Sequence, residues 1–333
     1  MCVRLSRLCQ YRIIVLLLLA ACLTFAQEQQ RSQFATFDAS ALPVSARIQI
    51  GGDPDWLAIG FGSVWVSVPK TNEVVRIDPR RNVVKARITV DQEPCYGIGI
   101  GRSWVWVLNC KSQTLTRIDP EKEKVDLTVP VSIAPEGEGS IAVDDSGVWF
   151  VGNEDGHSST LVHVEQLHGN MLRKIPIGAE SAVVTLGFGS VWVTSSGENR
   201  VYRVDPETGN IVAKIPVAAK PRFTTIGAGS VWVLSQSDGS VSRINPATNT
   251  VQSVTNAGVP GEGGDIAGGG SYIWVSAAGV PLIRIFPQSA KVADEYNNYR
   301  GADAIRFGFN SVWISDHGKG NVWRIDPEKL PVY

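Results

Sequence analysis

The side chains in this chain most able to do chemistry are carboxylates gathered at matching places in the sequence. Asp53, Asp55, Glu93, Glu136, Glu138, Glu180, Glu262, Asp265 and Asp303 all fall just ahead of short β-like runs spaced about 40 residues apart. Only Lys220, Arg222 and Arg300 share those places, so nine acidic residues face three basic ones in a chain that has 32 acidic and 31 basic residues overall. The bias is therefore local. Carboxylates lining one cleft focus a negative field and draw cations. Hard cations such as Mg or Ca bind through several carboxylate or carbonyl oxygens. The aromatic faces of Trp56 and Tyr96 stand among these residues. The three bases suit a substrate carboxylate instead. Asp, Glu, Pro and Gly are also ordinary turn residues, so a cation site and a plain solvated rim both remain open.

Histidine adds a second kind of chemistry. His157 lies in a long loop at 153–159, and His317 lies in Asp316-His317-Gly318-Lys319. Both are expected at the acidic end of the fold. A histidine beside carboxylates can serve as a general base, and a lone loop histidine can equally be just solvated. His163 and His168 belong to the repeated framework and to a turn at the opposite end. The chain carries no zinc-ligand spacing, phosphate-binding glycine loop or serine nucleophile elbow.

A repeat must position these groups. Trp65, Trp106, Trp149, Trp192, Trp232, Trp274 and Trp313 follow one another every 39 to 43 residues. About eleven residues after most of them comes Arg-Ile-Asp-Pro or a variant, as at Arg76, Arg117, Arg203, Arg243, Arg284 and Arg324, with His163 in the third copy. In the clearest copy, 183–186, 191–194, 201–204 and 211–215 read as strands, separated by Gly-Phe-Gly-Ser, a polar loop and Asp-Pro-Glu-Thr-Gly. Four short strands joined by tight turns at a fixed period make a propeller blade. Seven copies predict an all-β, seven-bladed β-propeller over 44–333. Both faces of a blade are covered by its neighbours, so the tryptophans are expected between blades and the repeated arginines are expected to be structural.

The last copy stops at Tyr333 without room for an outer strand. The missing strand is at the other end of the domain. Ala46-Arg47-Ile48-Gln49-Ile50 matches the outer strands Ala86-Arg87-Ile88-Thr89-Val90 and Ala213-Lys214-Ile215-Pro216-Val217. It is expected to complete the seventh blade and so remove an unpaired edge. Residues 27–43 read as a flexible polar lead-in.

Residues 1–26 read as an export signal. Arg4, Arg7 and Arg12 precede an apolar run at 13–21 that is too short for a membrane span. Cleavage is expected after Ala26, or at a lipobox that would make Cys22 a lipidated N-terminus. The expected location is the periplasm, the medium or the bacterial envelope, with membrane contact only through that lipid. Three of the 31 basic residues and none of the 32 acidic ones lie in the leader, leaving a net charge of −4. That balance offers no basic stripe for nucleic acid, and a monomer is expected. Cys95 and Cys110 flank a hairpin, where an exported protein can form a disulfide or bury two separate thiols.

Through G-x-G-S-V-W-V followed by V-x-R-I-D-P-x-T-G, the units over 46–333 resemble the YVTN-type and virginiamycin B lyase-like seven-bladed propellers. The resemblance implies either a non-catalytic propeller that binds a small ligand, a cation or an exported or cell-surface protein, or an enzyme. The enzyme would be a lyase that opens a lactone by elimination with magnesium and a histidine base, or, with less support, a metal-dependent lactonase. By analogy Glu262 and Asp265 would hold the metal, with His317 as the base.

Overall fold

The structure, a computed structural model, describes residues 34–333 except 96, 134–138, 154–157, 258–260 and 262. Seven antiparallel sheets of four strands each form a ring, one of them extended by a fifth strand. The fourth blade shows the pattern, with Ser181–Gly187 innermost, then Ser190–Ser195, Arg200–Val204 and, outermost, Ile211–Pro216. Inner strands touch in order around the axis, and that of blade seven, Ala302–Gly308, returns to that of blade one, Leu57–Gly60.

Each second strand is rich in β-branched and aromatic residues and is buried along its whole length, as in Ser63–Val68 and Ser230–Ser235. Outer strands alternate, with Val83–Thr89 exposing every other side chain to solvent. All seven repeated tryptophans are fully buried. In five blades the indole Nε1 donates to the glycine carbonyl five residues earlier, as Trp65 does to Gly60 and Trp192 to Gly187.

The repeated arginines tie neighbouring blades together. Arg76 packs over Trp65 and donates to the carbonyl of Pro120 in the next blade. Arg203 does the same with Trp192 and Pro246, and Arg243 with Trp232 and Pro287. Arg324 over Trp313 reaches Pro79 and so links the last blade to the first. In blade three His163 keeps the stacking on Trp149, with ring centroids 3.7 Å apart, but is too short to cross. Arg173 on the outer strand makes the crossing instead, donating to Pro206 at 3.3 Å. Blade six differs again. Arg284 lies over Tyr272 and forms a buried ion pair with Asp294.

The N-terminal strand closes the ring as expected. β2, Val44–Gln49, is the outer strand of blade seven, antiparallel to Asn321–Ile325. Within the lead-in expected to be flexible at 27–43, the described part from residue 34 onward is docked instead. β1, Ala35–Asp38, pairs in parallel with Lys291–Asn297 on the outer edge of blade six, and a 3-10 turn, Ala39–Ala41, carries the chain across to β2. Phe37 stacks on Tyr296, and Ala39 and Leu42 are buried, which explains why a segment that reads as polar is docked.

Candidate functional site

The loops that precede the inner strands gather at one end of the ring. Among the described residues, the acidic and histidine side chains that converge there are Asp55, Asp303 and His317, whose donor atoms all lie within 4.8 Å of one another. His317 Nε2 stands 3.2 Å from Asp303 Oδ2 and 3.5 Å from Asp55 Oδ1.

Buried polar contacts aim each of the three. Ser67 Oγ accepts from the Trp56 amide and the Ser67 carbonyl accepts from the Asp55 amide, fixing the turn that carries Asp55. Asp303 Oδ1 accepts from the Gly264 amide at 2.9 Å, which leaves Oδ2 for His317. Gly264 has φ +88°, and a β-carbon there would collide with the Ser276 carbonyl, so this donor position needs glycine. The His317 amide donates to the Gly301 carbonyl, and the neighbouring Asp316 is fully buried, accepting from Tyr299 Oη at 2.7 Å. Burial of Tyr299, and then the hydrogen bond to that carboxylate, raise its pKa, so the phenol stays a hydrogen-bond donor.

The hydrogen bond to Asp303, then that to Asp55, pushes the His317 pKa up to about 10 against the opposing effect of partial burial. At neutral pH the imidazole is therefore a cation between two carboxylates. In that state it donates protons and holds charge, and it becomes a base only when something positive takes its place between the acids.

The structure separates other residues from this group. Asp265 is not beside His317. It is 2% exposed, ion-paired with Arg306, and accepts from the amides of Ile266 and Ile305. That corrects its proposed pairing with His317 as a metal ligand, since three donors already occupy the carboxylate. Burial raises its pKa. Arg222 is buried and its carbonyl accepts from Thr194, so it is not displayed at the rim. Glu93, Glu180 and Lys220 occupy one repeated corner, with φ of 61°, 51° and 54°, and their carbonyls accept from Cys110, Ser196 and Gln236. Their side chains are exposed, as is Arg300, while Asp53 is half-buried. Tyr96, Glu136, Glu138, His157, Glu262 and Cys22 lie outside the described residues. Cys95 and Cys110 are bonded, with Cα atoms 5.8 Å apart.

Trp56 is the floor of the group. Its ring meets that of Phe223 at 5.7 Å, and both side chains border a small space shared with Asp55 and Asp303 as well as the axial channel below.

No protein-family model matches the sequence, and no curated protein does. Solved structures do match. A streptogramin B lyase superposes with a TM-score of 0.66 at 19% identity, over 85% of this chain and 94% of that one. The virginiamycin B lyase of Staphylococcus aureus gives 0.67 at 16% identity, over 84% and 98%. The chain shares the fold of virginiamycin B lyase. BamB from Moraxella catarrhalis also matches, with a TM-score of 0.59 at 15% identity over 85% of each chain. Identities this low establish a common propeller with virginiamycin B lyase and leave activity to be argued from the site.

Two residues that matter to the interior escaped the sequence reading. Phe223 carries no signal of its own, because apolar residues are ordinary at strand positions throughout the repeats. Arg306 had a visible signal, because it stands two residues before Gly308 where other blades have Ala58, Thr185 and Thr225.

Proposed function

We propose that the protein is an exported propeller that binds a divalent cation, Mg or Ca, or the cationic group of a small ligand at Asp55, Asp303 and His317. The observation that carries this reading is the convergence of the three donor atoms within 4.8 Å. Two carboxylates and an imidazole suit a cation that accepts oxygen and nitrogen donors. The arriving cation replaces the imidazolium proton, so binding releases that proton and tightens as pH rises. Export rests on the leader at 1–26, with cleavage after Ala26 or lipidation at Cys22. An exported or cell-surface protein with a basic side chain is the macromolecular counterpart of such a ligand. Calorimetry with MgCl2 and CaCl2 in two buffers of different ionisation enthalpy tests the site. Heat that varies with buffer and disappears in Asp303→Asn supports it; absence of both heat and a thermal shift removes it.

A second reading is favoured by the fold shared with the streptogramin B lyases and by a histidine at the mouth. A catalytically inactive virginiamycin B lyase, with one histidine changed to alanine, has been solved with quinupristin. In this chain Asp55 and Asp303 would hold the cation, which supplies positive charge for polarising an ester. His317, relieved of its proton, would take a carbon-bound proton as the ester C–O bond breaks. Mass spectrometry of quinupristin incubated with the protein and MgCl2 distinguishes the outcomes. Elimination gives a linear product of unchanged mass, a lactonase adds one water, and unaltered quinupristin retires the lyase reading for this substrate.

A further inference from the structure

The axial channel is a compartment of its own. It encloses about 340 Å³ and draws side chains from all seven inner strands. Toward the acidic end it is roofed by Trp56 and Phe223, both buried. Toward the opposite end the inner strands lose their cover. Ser181–Gly187 runs from buried to half-buried along its length, as do Pro221–Gly227 and Leu57–Gly60. The channel therefore opens on the face of the tight turns, away from Asp55, Asp303 and His317.

Its walls are apolar, with Ile59, Ile100, Leu186 and Phe307 among them, and hydroxyls come from Thr185 and Thr224. One charged pair interrupts them. Asp265 is 2% exposed and sits behind Arg306, whose side chain is 26% exposed. Arg306 Nη1 donates to Asp265 and to the Ile305 carbonyl, and among the described residues Nε and Nη2 make no hydrogen bond. The pair is neutral as a whole, yet the half that faces the cavity is the guanidinium. Arginine presents a planar donor edge that fits a carboxylate. A cavity of this size with apolar walls and one oriented polar group has the character of a small-molecule site.

We propose that the channel is a second ligand site, entered from the turn face, for a small carboxylate with a flat apolar body whose acid group meets Arg306. The ligand body lies against Leu186 and Phe307, and its carboxylate takes the free guanidinium edge. Asp265 holds that edge in place from behind and does not touch the ligand.

The probe is 2-naphthoate, with neutral 2-naphthamide as its control, titrated by calorimetry. Naphthoate is expected to bind at least about tenfold tighter than naphthamide, the ratio one oriented charge-assisted pair supplies. Leu186→Trp fills the channel without touching the ion pair and is expected to abolish binding. Arg306→Gln alone strands the Asp265 carboxylate, so the double variant Asp265→Asn with Arg306→Gln is used, and it is expected to bind acid and amide equally. Asp303→Asn, on the far side of Trp56, leaves naphthoate binding unchanged. Equal affinity of acid and amide in the unmodified protein overturns the proposal. So does retention of binding in Leu186→Trp, its loss in Asp303→Asn, or no binding of naphthoate at millimolar concentration.

Discussion

Trp56 Nε1 donates to the carbonyl oxygen of Cys95 at 3.0 Å. The floor of the acidic group is thus fastened to the backbone of the next blade at the residue that bonds to Cys110. Two otherwise separate features, a disulfide and a buried indole, act on one position.

That linkage predicts the effect of reduction. Cys95 and Cys110 are 15 residues apart, and a loop of that length corresponds to about 3 kcal/mol of stabilisation. Urea unfolding with and without reductant is expected to differ by that order, and Cys95→Ser with Cys110→Ser is expected to match the reduced protein. An unchanged midpoint on reduction would show that the bond is absent from the folded protein.

His317 gives a pH dependence with a definite sign. Its folded pKa of about 10 exceeds the ordinary value of 6.5. The stabilisation is therefore complete below pH 6.5 and is lost as pH rises through about 10. The imidazole side chain is 40% exposed, so water screens the pairs and the slope falls short of a full proton's worth. Melting temperature measured from pH 6 to pH 10 is expected to fall more steeply in the unmodified protein than in His317→Gln. Equal slopes contradict the pairing.

Arg284 and Arg203 occupy the same place in their repeats and predict unequal losses. Arg284 is 1% exposed and its partner Asp294 is fully buried. Removing the cation leaves a buried charge without compensation, at a cost of about 3–5 kcal/mol. Arg284→Met is expected to lose that much in denaturant titration, and adding Asp294→Asn is expected to recover a large part. Arg203→Ala removes a half-buried guanidinium and its bond to Pro246, and is expected to cost only about 1–2 kcal/mol. Equal losses at the two positions would remove the distinction.

Deleting 44–50 removes the outer strand of blade seven along with buried Ile48 and Ile50. Burial of two isoleucines alone is worth about 3–6 kcal/mol, and Asn321–Ile325 is left as an open edge. A lower melting temperature together with concentration-dependent association on size exclusion is expected. A monomer that melts as before contradicts the closure.

The framework was legible in the sequence because it repeats. Trp192, Arg203 and Asp205-Pro206 recur with the same spacing, and one solution satisfies all seven copies. The site was legible only in part. Asp55, Asp303 and His317 each stand out in their own repeat, but which acid faces the histidine depends on loop conformations that do not repeat. His317 comes from blade seven and Asp55 from blade one, so their meeting depends on the ring closing. In the sequence, Asp265 is placed with His317 only by analogy with the lyases. Its inward turn goes with Arg306, a cation on the adjacent inner strand two residues before Gly308, where blades one, four and five have Ala58, Thr185 and Thr225. The docking of β1 was hidden for a similar reason, since Phe37 stands among polar residues and finds its apolar partner, Tyr296, more than 250 positions away.

That distance has a consequence in time. β1 and β2 belong to blades whose remaining strands lie between 265 and 325. During synthesis they emerge first and must wait, unpaired, while five whole blades are made. The ring then locks late, when Asn321–Ile325 returns to pair with Val44–Gln49, translated long before it. Contacts this remote in sequence form slowly and leave apolar edges open meanwhile. The interval before closure is the period in which this protein most needs protection from its neighbours.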